Sequence, residues 1–86
     1  MPLFDVTAVK PLEGRRIYLC FEDGLEGAMC LDDLVSSYHG VFAPLQDESF
    51  FRQVVVDEEL GTVVWPNGAD ICPTVLYERI LALQGH

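Results

Sequence analysis

Apolar residues in this chain recur mainly at a period of two, in short runs broken by Gly, Pro, Asp and Asn. That pattern describes strands joined by turns. A first strand is predicted over Leu3–Lys10, where Val6 and Val9 break strict alternation and leave room for a bulge or a short strand. Pro11–Gly14 reads as a turn. Arg15–Glu22 and Leu25–Leu31 flank Asp23-Gly24, a hairpin signature because a type I′ turn needs positive φ at both central residues. A two-residue loop opposes Leu19 to Ala28, Tyr18 to Met29 and Ile17 to Cys30. Ile17, Leu19, Phe21, Ala28 and Cys30 then form the core face. The other face carries Tyr18, Cys20, Leu25, Gly27 and Met29, less polar than a solvated sheet face should be.

Leu31–Tyr38 predicts a short helix, with Leu31, Leu34 and Val35 on one side, Asp32 and Asp33 near its start and Gly40 as its stop. Val41–Ser49 reads as an irregular connection anchored in the core by Phe42 and Leu45. Phe50–Asp57 and Thr62–Trp65 predict a second hairpin around Glu58-Glu59-Leu60-Gly61, with Val54, Val56, Val63 and Trp65 sharing one apolar face. Pro66-Asn67-Gly68 is a turn, and Pro73 opens a final helix. On that helix Leu76, Ile80 and Leu83 fall at i, i+4 and i+7, flanked by Val75 and Tyr77. Gly85 and His86 should fray. The fold class is α+β: a largely antiparallel sheet of about five strands in two hairpins, a short middle helix and a C-terminal helix packed on the sheet.

The chain has 86 residues, enough for one domain and too few for two. Half of them are hydrophobic, so a core can form without metal or disulfide support. Charge changes the picture more. Fourteen acids against five bases leave a net charge of -9, and no more than two of the bases stand together. Such a surface repels a phosphate backbone, so direct nucleic-acid binding is not expected. It would suit a basic protein partner. No apolar run approaches the ~20 residues that span a bilayer, and Met1-Pro2-Leu3-Phe4-Asp5 lacks a signal-peptide start, so a cytoplasmic protein away from membranes is expected. Three cysteines, an odd number, fit a reducing compartment.

Candidate chemistry is thin. Cys20, Cys30 and Cys72, with His39 or His86, show no C-x-x-C or H-x-x-x-H spacing, and the register above turns Cys20 and Cys30 to opposite faces. Neither a metal site nor a cofactor is expected. His39 lies near Asp32, Asp33 and Cys30 in sequence, so a Cys–His pair is conceivable. No oxyanion hole or phosphate-binding glycine loop accompanies it, and enzyme activity is not expected. The carboxylate pairs Glu22/Asp23, Asp32/Asp33, Asp47/Glu48 and Glu58/Glu59 read as solvated surface.

The second half of the chain carries a more specific pattern. Phe50, Val54, Val56 and Asp57 precede Thr62-Val63-Val64-Trp65-Pro66-Asn67-Gly68-Ala69-Asp70-Ile71-Cys72-Pro73, followed by Leu76-Tyr77. In the first half Val6 and Val9 precede Leu19 and Phe21-Glu22-Asp23-Gly24. Together these resemble the bacterial domain-of-unknown-function family 2442 over nearly the whole chain. The resemblance implies a small α+β domain and no assigned activity. Some members carry an appended helix-turn-helix domain, for which this chain, closing on its helix, is expected to have no room. Others are encoded beside a second small protein in arrangements similar to toxin–antitoxin pairs, which would make this chain the acidic, antitoxin-like partner. Members usually have Ser where this chain has Cys72, and a thiol is a poor helix cap, a role Asp70 could take instead.

Two surfaces stand out as candidates. Tyr18, Leu25 and Met29 on the surplus sheet face suit a protein interface or self-association. Trp65, Asn67, Asp70 and Tyr77 could form a recognition loop for a small molecule, although turn and core chemistry account for the first three without it. The leading expectation is a non-enzymatic protein-interaction module, with small-molecule binding or sensing as the alternative.

Overall fold

A computed structural model describes residues 5–35 and 37–84. Predictions for Leu3, Phe4, Gly85 and His86 lie outside the described residues. Among the described residues five strands form: β1 (Val6–Leu12), β2 (Arg16–Phe21), β3 (Glu26–Cys30), β4 (Val55–Asp57) and β5 (Thr62–Val64). Two α-helices join them, the single turn α1 (Glu48–Phe51) and the final helix α2 (Pro73–Leu83), with 3-10 turns at Glu13–Arg15, Leu31–Asp33 and Gly40–Gln46. All pairing is antiparallel, in one sheet of order β1-β2-β3 and a second of β4-β5. The architecture is α+β, as the sequence predicts. Its two sheets meet where Val6 N–H donates to Gly61 O at 2.9 Å.

The first hairpin corrects the predicted register by one residue. Gly24 alone takes a left-handed φ, +97°, while Asp23 does not. The loop is therefore the three residues Glu22-Asp23-Gly24. It is closed by Gly24 N–H to Phe21 O at 3.0 Å and Phe21 N–H to Leu25 O at 2.8 Å, and the Asp23 carboxylate accepts from Leu25 N–H. A three-residue loop with its last residue left-handed needs one such φ, not two. Ile17 now opposes Met29, Tyr18 opposes Ala28 and Leu19 opposes Gly27. Because side chains alternate, this slip turns every β3 residue to the other face. Met29 enters the core beside Ile17, Leu19 and Phe21, while Ala28 is exposed and Cys30 half-buried on the outer face.

The second hairpin keeps its predicted register, with Val56 opposite Val63 and Asp57 opposite Thr62. Val54, Val63 and Trp65 are buried and Val56 packs on them. The strand is shorter than expected at its start. Glu48–Phe51 is helical because the Asp47 carboxylate caps that turn, accepting from Ser49 N–H and Oγ–H and from Phe50 N–H. These bonds, the Ser49 hydroxyl first, hold Asp47 below its ordinary range.

The predicted helix over Leu31–Tyr38 shrinks to one 3-10 turn at Leu31–Asp33, and Gly40 starts a second such segment rather than stopping the first. Leu45 from that segment is fully buried and Phe42 packs against the core, as anchors should. On α2, Leu76 and Ile80 are buried, but Leu83 is 51% exposed in the last turn, beyond the reach of the sheet. The helix crosses β3 at Gly27, where a Cβ would lie 3.0 Å from Ile80 Cγ2. The thinnest dimension, 18 Å, is that of one helix layer on a sheet.

Candidate functional site

The three residues expected to form an interface do not share a face. Met29 is 2% exposed in the core and Leu25 packs against the same side, opposite Tyr18. The register slip is the cause. Tyr18 remains on the outer face, where its hydroxyl donates to the Glu26 carboxylate. That bond, with desolvation, pushes the phenol up to about 12. The slip also places Cys20 and Cys30 on one face, but opposite Glu26 and Arg16, roughly 13 Å apart along the strands. All three cysteines are free.

The predicted recognition loop is likewise dispersed. Trp65 is 2% exposed, its indole N–H donating to Phe51 O at 3.0 Å. Asn67 spends its side chain on the backbone, accepting from Ala69 N–H at 3.1 Å and donating to Val41 O at 2.8 Å. Tyr77 faces the first hairpin, in edge contact with Phe21 and donating to the Asp23 carboxylate, which lowers the Asp23 pKa and raises that of the phenol. Asn67 and Asp70 are both exposed, and Asp70 pairs by its backbone with Val64.

Asp70 does not cap α2. Cys72 is the N-cap and supplies no side-chain bond, with Pro73 at the first helical position. Among the described residues no hydrogen bond reaches the Asp70 carboxylate. Asp70→Ala should therefore change stability by less than about 0.5 kcal/mol. Cys72→Ser, which adds a competent acceptor, should raise it by about 1 kcal/mol. Urea midpoints of the two variants check both values. A loss of ~1 kcal/mol in Asp70→Ala would restore Asp70 as the cap.

A cleft of about 480 Å³ lies between this N-terminal end of α2 and the segment after β3. Leu34, Val35, Phe42, Ile71 and Val75 give it an apolar lining, and Ser37, His39, Asp70 and Cys72 give it polar edges. A second lobe of about 280 Å³ continues along α2, sharing Leu34 and Val75 and adding Glu78, Arg79 and Ala82. Val75, at the junction, is 41% exposed. None of this was legible beforehand. The one available signal was the spacing of Val75, Arg79 and Ala82 on α2, a flank beside the Leu76–Ile80 stripe.

The far bank of the cleft is irregular backbone, so side chains hold it. Arg15, whose φ of +57° is unusual for a side-chain-bearing residue, grips Asp32 through Nε at 2.9 Å and a second nitrogen at 3.2 Å. Tyr38 donates to the same carboxylate, and the guanidinium lies 5.2 Å from its ring centre. Gln46 donates to Tyr38 O at 3.1 Å. The Arg15 and Tyr38 bonds hold Asp32 down to about 2, while desolvation and Asp32 push the Tyr38 phenol up. An acid depressed in the folded state stabilises above its ordinary pKa of ~3.9 and loses that contribution as pH falls through the depressed value. An NMR titration of the Asp32 carboxyl should thus give a midpoint near 2, rising towards the ordinary value in Arg15→Gln. An ordinary midpoint in the unsubstituted chain would mean the grip is not formed.

His39 Nδ1 shares a hydrogen bond of 3.1 Å with Ser37 Oγ, and Cys30 turns to Gly14 O, so the conceivable Cys30–His39 pair does not form. No three His, Cys, Asp or Glu among the described residues converge as a metal site. No described helix is long and apolar enough to cross a membrane.

The molecule is thus a small α+β domain with an apolar groove along its last helix. It belongs to the family described as protein of unknown function, DUF2442, whose model matches residues 6–82. No curated protein and no solved structure matches the chain significantly.

Proposed function

We propose that this domain is a non-enzymatic protein-interaction module that takes apolar side chains of a more basic partner into the groove along α2. The observation behind this is the two-lobed apolar lining centred on Leu34 and Val75, left open on the surface. Contiguous exposed apolar surface usually marks a contact. The net charge of -9 selects a cationic partner. The family resemblance makes an antitoxin-like pairing its most concrete form. Three unpaired thiols suit a reducing, cytoplasmic setting.

Val75→Glu is the direct test. Val75 is partly exposed, so the substitution should leave thermal stability within about 1 kcal/mol of the parent. It should abolish stoichiometric capture of the partner from the native host, read by affinity purification and light scattering. Equal capture by both proteins would remove the groove from the interaction.

Small-molecule binding is the second reading, and one observation favours it. The larger lobe falls within the ~300–1,000 Å³ of typical ligand sites and has polar groups at its edge. It predicts thermal stabilisation by a small compound that Val75→Glu eliminates.

A further inference from the structure

Resting on the groove reading above, we infer that its occupant is an amphipathic, basic α-helix of the partner, anchored by apolar residues at i and i+4. Three features of the groove lead there. The first is its walls. An extended segment that docks by strand addition takes its backbone N–H and C=O partners from a sheet edge. Here one wall is the side of α2 with the short stretch of residues 70–72 before it, and the other is Leu34, Val35 and Phe42, from 3-10 turns and loop. Among the described residues neither wall carries a β-strand, and in residues 70–72 Asp70 is already bridged to Val64 and Ile71 O already accepts from the Thr62 hydroxyl. A helix satisfies its own backbone and brings only side chains.

The second feature is spacing. One lobe borders residues 70–72 and Val75 at the start of α2, the other Val75, Glu78, Arg79 and Ala82 along it. The first lobe reaches α2 only at Val75 and the second centres near Glu78 and Arg79, so the lobes stand about one helical turn or more apart, at least ~5 Å. Side chains at i and i+4 of an opposing helix stand ~6 Å apart and can fill both lobes.

The third feature is charge. Asp70 edges the first lobe and Glu78 the second, against Arg79 alone, on a surface where acids outnumber bases fourteen to five. Lysine or arginine flanking the apolar stripe meets these carboxylates. Acidic flanks meet repulsion.

Three labelled peptides of about fifteen residues test this, with fluorescence anisotropy read against the intact domain. One carries leucines at i, i+4 and i+7 among lysines and arginines. The second has the same composition with the leucines scrambled. The third keeps the stripe but replaces the bases by glutamate. The striped basic peptide should bind at least about tenfold tighter than both controls, and Val75→Glu should remove that margin. Ala82→Glu, at the exposed side of the second lobe, should remove it too if Val75→Glu fails to fold. Equal binding of striped and scrambled basic peptides, or of the acidic striped peptide, overturns the proposal. If no peptide is preferred while Val75→Glu still abolishes native capture, the interaction reading stands and the basic helix falls. If native capture is indifferent to Val75→Glu, the groove reading falls first.

Discussion

Trp65→Ala should remove a large share of the domain's stability. The side chain is 2% exposed, and its ring lies 6.0 Å from that of Phe51, centre to centre. Truncating a buried tryptophan costs about 3–5 kcal/mol in lost transfer energy and residual cavity. The indole N–H also donates to Phe51 O, which Val54 N–H reaches at 3.3 Å as well, so truncation removes the shorter of two hydrogen bonds to that carbonyl. A domain of this size has roughly 4–13 kcal/mol in total. The loss should lower the melting temperature by at least about 12 °C, followed by far-ultraviolet circular dichroism. Trp65→Phe separates the two contributions, since it keeps most of the apolar bulk and loses the N–H. It should cost ~1–3 kcal/mol. A Trp65→Ala protein that melts with the parent would return Trp65 to the role of an exposed recognition residue.

Gly27→Val should destabilise the domain by about 1–3 kcal/mol, against the preference of strands for valine. Gly27 has an ordinary φ, so its backbone tolerates a side chain, and the obstacle is space. A Cβ there would meet Ile80 Cγ2 at 3.0 Å and Gln84 Nε2 at 3.3 Å. Gln84 is long and can swing aside, giving up its 2.7 Å bond to Glu26 O. Ile80, 1% exposed and branched at Cβ, cannot. Valine would therefore push α2 away from β3, and one wall of the groove with it. A double-mutant cycle isolates the clash. Ile80→Ala costs ~2–5 kcal/mol alone, but combined with Gly27→Val it should cost less than the sum by more than about 0.5 kcal/mol. Strict additivity, or a stabilising Gly27→Val, would show that helix and strand are not in contact at this point.

These two residues mark where local reading succeeds and where it stops. The second hairpin was legible because Val54, Val56, Val63 and Trp65 admit one register that buries them together. The first was misread by one residue because Asp-Gly closes two-residue and three-residue loops alike. Choosing between them depends on whether Met29 or Ala28 faces α2, which is a question of packing. The interface expected at Tyr18, Leu25 and Met29 was a product of that slip.

Local chemistry settles the number of strands, their antiparallel pairing, the turn at Pro66-Asn67-Gly68 and the start of α2 at Pro73, since each depends on neighbours in the chain. The groove depends on residues far apart. Leu34 and Val35 follow a single 3-10 turn with no periodicity to reveal its direction. Their position comes from Arg15 gripping Asp32 and from Asn67 holding Val41 O across 26 residues. Gly27 reads in sequence as a weak point of a strand, and only the approach of Ile80 shows why a side chain there would be costly. Long-range contacts of this kind leave no pattern in the sequence, because the residues that make them are ordinary in their own neighbourhoods.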